Sequence, residues 1–223
     1  MINYADAFKK PFTDVKKLLI GILLSILPVI NWFAMGFAIE CSGLGRNKKS
    51  KKMPEWDDWG DYFVKGLLGT LIIIIYLIPT LLILILSLGS YFGYFMMFSF
   101  RSIMPFGRGV NMNFATAFPN MLGLLPLLLL SLLLGLFAVY ISPMAILNYL
   151  KKNNFSDAFK LKIVLKKVFN QDYFIAWIIV ALVFGLAGAI INRIPVIGSA
   201  LISFVSQVTA YTMFGEVYSR SGE

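Results

Sequence analysis

Five apolar runs set what this chain can become: residues 18–45, about 66–88, about 120–147, 173–191 and 194–218. Most exceed the ~18 residues that mark a transmembrane helix. A soluble domain would need roughly a quarter of its residues charged to cover its surface, whereas 14% of these 223 residues are charged and 59% are hydrophobic. The pattern predicts an all-α, polytopic transmembrane bundle of about four full spans, with an N-terminal membrane hairpin and interfacial amphipathic helices. A single integral membrane domain over 1–223 is expected. Seventeen residues with four lysines precede the first run, and no small-residue cleavage site follows, so no removable signal peptide is expected.

The first run is too long for one crossing and contains a helix breaker. As one helix its 28 residues would extend ~42 Å against a hydrocarbon core of ~30 Å. Pro28 removes a backbone donor in its middle, and Asn31 and Trp32 follow with turn and interface character. Two arms of ~14 residues would each reach ~21 Å and double back without crossing. Charge placement agrees. If the run doubles back, 17 of the 20 Lys and Arg residues share one face, and only Arg101, Arg108 and Arg193 lie opposite. By the positive-inside rule that face is cytoplasmic, which predicts a multi-pass plasma-membrane protein with both termini inside. The +9 net charge therefore reads as orientation and attraction to anionic lipid headgroups, with no nucleic-acid partner expected and any protein partner left open.

Tyr4-Ala5-Asp6-Ala7-Phe8-Lys9 recurs as Phe155-Ser156-Asp157-Ala158-Phe159-Lys160, and each copy leads through lysines and an apolar run to Pro-Val-Ile, at 28–30 and at 195–197. The Asp-to-Pro offset is 22 residues in the first copy and 38 in the second, which leaves room for a full span only in the second. Phe114–Phe118 is a weaker third match. The chain reads either as two related halves, 1–113 and 114–223, or as unrelated interfacial helices under like constraints. Residues 155–169 predict a helix lying on the membrane, with Leu161, Val164, Leu165 and Val168 on one face and Lys160, Lys162, Lys166 and Lys167 turned to headgroups. Tyr4, Phe8, Phe12, Val15 and Leu19 form a similar stripe, with Pro11 as a helix restart.

Residues 53–63, Met-Pro-Glu-Trp-Asp-Asp-Trp-Gly-Asp-Tyr-Phe, are the most distinctive local sequence. They predict a short helix over 54–64 with Trp56, Trp59 and Phe63 against the bilayer and Asp57, Asp58 and Asp61 near the basic run 46–52. Three such acids are either neutralised by those lysines or able to hold calcium or magnesium.

The Pro-x-Trp-x-x-Trp segment, the Phe63-x-x-Gly66 that follows, the Pro-x-Ala-x-x-x-Tyr of Pro143–Tyr149 and the Phe-x-x-Ala-Phe opening at Phe155 together resemble an archaeal and bacterial family known as domain of unknown function 4013. The resemblance spans nearly the whole chain. It implies a multi-pass membrane protein and assigns no activity.

With no histidine and one cysteine, Cys41, imidazole-based triads, the usual zinc sets and internal disulfides lack their raw material. No phosphate-binding loop, dinucleotide fingerprint or nucleophile elbow is present. No cofactor is expected and the protein is not expected to be an enzyme. Charges at span ends, Glu40, Glu216 and Arg193, are functional candidates because a carboxylate in hydrocarbon is costly. They read as ion pairs, Glu40 with Arg46 and Glu216 with Arg220, or as part of a proton or ion path. Gln207 and Thr209, beside Ser203 and Ser206, are the most polar patch in a span and read as interhelical hydrogen bonds or a pathway lining. Cys41 reads as a packing residue or a palmitoylation site. Two functions follow: a membrane or lipid-organising protein or accessory subunit, and alternatively a small transporter or channel with a pathway between duplicated halves.

Overall fold

A computed structural model describes residues 3–46, 52–103, 125–191 and 193–221. Among them are eight α-helices and no strand: α1 Tyr4–Lys9, α2 Val15–Leu24, α3 Asn31–Glu40, α4 Trp59–Ile103, α5 Leu125–Lys152, α6 Leu161–Val168, α7 Gln171–Ile191 and α8 Ile197–Arg220. The Phe114–Phe118 match, Arg108 and most of the 46–52 basic run lie outside the described residues. Four helical segments are long and apolar enough to cross a membrane: Trp59–Gly89, Leu125–Lys152, Gln171–Ile191 and Ile197–Arg220. The chain is an all-α, multi-pass membrane protein.

The chain forms two compact units, one of residues 1–73 with 140–223 and one of residues 74–139. In the smaller unit, Thr80 of α4 packs beside Gly135 of α5, where an added Cβ would come within 3.3 Å of the threonine methyl. Leu82, Ile85, Leu86, Leu132 and Leu133 point outward, as hydrocarbon-facing helix surfaces must, since lipid and leucine are equally apolar.

In the larger unit the first apolar run doubles back at Pro28, as its length and its proline predict. The arms, α2 and α3, are ten residues each, about 15 Å by helical rise and shorter than expected from the run alone. Gly21 on one arm and Phe37 on the other both pack against Phe204 of α8, and Lys10 lies against Cys41 where the arms open. Thus α2 runs antiparallel to α8 and α3 parallel to it. The helix restart falls later than Pro11: Lys10–Phe12 is a 3₁₀ turn, and α2 begins at Val15 because the Asp14 side chain accepts the Lys17 N–H as its cap.

Helices α3 and α4 cross with their backbones touching. A Cβ on Gly36 would stand 1.8 Å from the Tyr62 carbonyl oxygen, and one on Gly66 would stand 1.8 Å from that of Trp32. Two glycines facing each other's carbonyls are what bring the hairpin this close to α4.

Two interfacial expectations need correction. Residues 53–57 are irregular, and α4 starts directly at Trp59, because Asp58 caps it by accepting the Asp61 N–H at 3.1 Å. There is no separate helix over 54–64. Residues 155–169 are likewise not one helix. Asn154 caps a 3₁₀ turn over Phe155–Phe159, and α6 begins only after Lys160.

Candidate functional site

The polar features of the larger unit gather at the end of α8 that carries its C-terminus. A cavity of about 330 Å³ opens there between α1, the turn after α3 and the last turns of α8. Lys10, 5% exposed, donates from Nζ to the Cys41 carbonyl at 2.8 Å and so caps the C-terminus of α3. Burial holds its pKa below the usual lysine range, with the Glu216 carboxylate among the groups acting the other way. Glu216 Oε2 accepts the Asn3 N–H at 3.2 Å. Thr212 donates to Val208 O at 2.7 Å and lies 3.3 Å from Cys41 O. Gly215 lets the turn lie flat on α8, since a Cβ there would meet Ser42 O at 2.1 Å. Asp6, Arg220, Ser42 and Ser219 complete the polar walls. From the sequence, Glu216 stands out as a span-end charge with Arg220 four residues on, and Cys41 as a packing or acylation residue. Lys10 is legible only as a topology charge, because what faces it is set by packing between segments far apart in the chain.

Gln207 and Thr209 sit farther along α8 and do not line that cavity. Gln207 donates from Nε2 to Ser203 Oγ at 2.9 Å, whereas Gln207 Oε1 and Thr209 Oγ1 are buried without a partner among the described residues. The structure thus does not join Gln207, Thr209 and Glu216 into one wet cleft.

Beside the cavity a ladder of alternating charge descends from the surface to Glu40. Arg46 pairs with Asp58 and, at 3.8 Å, with Asp61. Lys65 lies 2.5 Å from Asp61 and 2.6 Å from Glu40. Glu40 is 2% exposed. Lys65, one helix away, is a partner that spacing along the chain does not offer, because the glycine crossing of α3 and α4 brings residues 40 and 65 level. Asp58 and Asp61 are taken up by these cations. Asp58 is held below the usual carboxylate range by the Asp61 N–H and Arg46. Among the described residues, no group of three His, Cys, Asp or Glu is placed to hold a metal.

The aromatic residues of this loop mainly meet protein. Trp56 stacks on Phe37 with ring centroids 4.0 Å apart and on Trp59 at 5.2 Å. Phe63 packs edge-on against Trp32. Trp59, 43% exposed, offers the most outward ring of the three. Lys17 ties the loop to α2 through Glu55 at 2.5 Å.

Of the lysines in α6 and at its N-cap, Lys160, Lys162 and Lys166 are exposed. Lys160 also pairs with Asp157, which holds that carboxyl below its usual range. Lys167 turns inward. Its Nζ donates to Tyr218 O at 3.3 Å and Ser221 Oγ at 3.1 Å and sits 3.9 Å above the Tyr218 ring. The Tyr218 hydroxyl donates to Asn148 Oδ1 at 2.6 Å, and Asn148 Nδ2 donates to Asp157 O at 2.6 Å. This chain of bonds fixes the second copy of the repeated motif to α5 and α8. Cys41 is 2% exposed, and burial pushes its thiol up to about 12, an environment that suits packing and withholds the thiolate that acylation requires.

A family model described as Protein of unknown function (DUF4013) matches residues 19–196, most of the chain. No curated protein and no solved structure matches it. The chain belongs to the DUF4013 family.

Proposed function

We propose that this DUF4013 protein is a non-enzymatic membrane protein that organises lipid at its lysine-rich face, with both termini cytoplasmic in the plasma membrane. The observation that carries the reading is the α2–α3 hairpin. Arms of ten residues reach about 15 Å, half of a ~30 Å core, so the hairpin adds cross-section to one leaflet only. Outward Val15, Leu19 and Leu23, each at least 60% exposed, give that wedge an apolar rim. The exposed Lys160, Lys162 and Lys166, with Lys151 and Lys152 nearby, stand ready for anionic headgroups. A polybasic surface of this kind contributes about 1 kcal/mol per lysine near an anionic membrane.

Reconstitution into vesicles with graded phosphatidylglycerol tests this. Wild-type protein should enrich the anionic lipid around itself and reduce vesicle diameter, and replacing Lys160, Lys162 and Lys166 with Gln should remove most of the enrichment. Unchanged lipid preference in the triple variant, with unaltered vesicle size for wild type, would count against the proposal. A transport role is the second reading, and the partnerless Gln207 Oε1 and Thr209 Oγ1 are what favour it.

A further inference from the structure

We propose that Lys151, Lys166 and Lys167, gathered around Tyr218 where α5, α6 and α8 end, hold the phosphate-monoester headgroup of a membrane lipid such as phosphatidic acid in preference to singly charged headgroups. This selectivity rests on the lipid-organising role proposed above and refines it.

The Lys167 and Lys151 ammoniums stand 3.9 Å and 5.2 Å from the centre of the Tyr218 ring, and the bond from its hydroxyl to Asn148 fixes that ring. Lys151 and Lys166 are exposed, while Lys167 lies beneath the surface. Burial lowers the pKa of Lys167, and the ammoniums of Lys151, Lys166 and Lys152 lower it further. The cations are therefore close enough to repel one another.

Lys152 shares Asp157 with Lys160. Among the described residues, however, no carboxylate pairs with Lys151, Lys166 or Lys167. Lys167 meets a carbonyl, a hydroxyl and a ring face, all uncharged. Three helix C-termini gather here, and at about half a negative charge each they leave ~1.5 of the three positive charges uncompensated. A phosphodiester headgroup brings one negative charge, whereas a phosphate monoester brings about 1.5–2 at neutral pH. Neighbouring cations also favour its doubly ionised form.

Depth selects a lipid over a soluble phosphate. Lys151 and Tyr218 belong to the last turns of the spans Leu125–Lys152 and Ile197–Arg220, the level at which headgroups lie. Leu161 and Phe169, which bracket Lys166 and Lys167, are exposed apolar side chains, as in a helix seated in the membrane interface.

The full chain would be reconstituted in phosphatidylcholine vesicles with equal amounts of phosphatidic acid and phosphatidylglycerol, and the lipids it retains on gentle solubilisation counted by mass spectrometry. Wild-type protein should retain phosphatidic acid over phosphatidylglycerol by at least about fivefold. Lys151→Gln and Lys166→Gln should each reduce that ratio by half or more, Lys151→Arg should preserve it, and Lys16→Gln, at an exposed lysine of α2, should leave it unchanged. An unfolding midpoint within a few degrees of wild type confirms that each variant folds. Equal retention of the two anionic lipids by wild type, above phosphatidylcholine, would overturn the proposal and leave the lipid-organising role standing, whereas retention of neither defeats both. A loss in Lys16→Gln as large as in Lys151→Gln, or full displacement of phosphatidic acid by soluble glycerol 3-phosphate at equal concentration, would also overturn it.

Discussion

The Lys65 ammonium lies 2.6 Å from the Glu40 carboxylate, and both side chains are more than nine-tenths buried. The pair joins the end of the hairpin to the first turns of a transmembrane helix. Lys65→Met removes the cation from between Glu40 and Asp61 and should destabilise by about 3–5 kcal/mol, whereas Glu40→Gln leaves Lys65 paired with Asp61 at 2.5 Å and should cost less; adding Glu40→Gln to Lys65→Met should recover part of the loss. Chemical unfolding in detergent of the two single variants and the double variant measures it.

Gly36→Ala and Gly66→Ala should each prevent the hairpin from docking, since the new methyl would overlap a carbonyl oxygen that belongs to backbone and cannot step aside. Gly185→Ala, with nothing within 4 Å of its added Cβ, should leave stability within about 0.5 kcal/mol or raise it slightly. Monodispersity on size exclusion and the unfolding midpoint distinguish the three.

Cys41 should resist alkylation by iodoacetamide at pH 8 in the folded protein and react fully after denaturation, because a thiol raised to about 12 holds almost no thiolate there and is buried besides. Mass spectrometry before and after unfolding reads the difference. Rapid native labelling would show that the turn after α3 opens.

Asp58 and Asp157 are both depressed, by the Asp61 N–H and Arg46 in one case and by Lys160 in the other. Each favours the folded state fully above the ordinary aspartate value of about 3.9. That contribution fades as pH falls through the lower folded value, where the native carboxylate finally accepts a proton. The unfolding midpoint should thus be level from pH 7 to 5 and fall below pH 4, and Asp58→Asn with Asp157→Asn should flatten the acid limb.

Single cysteines placed at Thr13 and Ser156 in a Cys41→Ala background should label from the same side of sealed vesicles. Labelling of residue 13 from the opposite side to residue 156 would exclude the doubled-back first run.

The spans and the Pro28 reversal were legible because hydrocarbon thickness and proline act through local sequence. Periodicity also identified the apolar face of α6, since Val164 and Val168 are fully buried. It could not say what lay opposite, so Lys167, on paper a headgroup lysine, is turned beneath Tyr218. Trp56 has the sequence signature of a bilayer anchor for the same reason: an aromatic ring has equal grounds to meet lipid or Phe37, and only the α3–α4 crossing decides. The Glu40–Lys65 pair had a partial signal, because Lys65 follows Asp61 by four residues on one helix face. The cavity had almost none, being assembled from segments at opposite ends of the sequence.

The hairpin's dependence on α8 has a consequence for biosynthesis. Cys41 and Thr212 meet across 171 residues, and at ~5–20 residues per second a ribosome needs on the order of ten to thirty seconds to cover that distance. Throughout that interval the hairpin's two short arms, neither long enough to be retained as a span, have only the start of α4 to pack against, through the Gly36 and Gly66 crossing and the Glu40–Lys65 pair. Early α4 and late α8 therefore secure the hairpin in two steps, the first within a few seconds of its synthesis and the second at the end of the chain's.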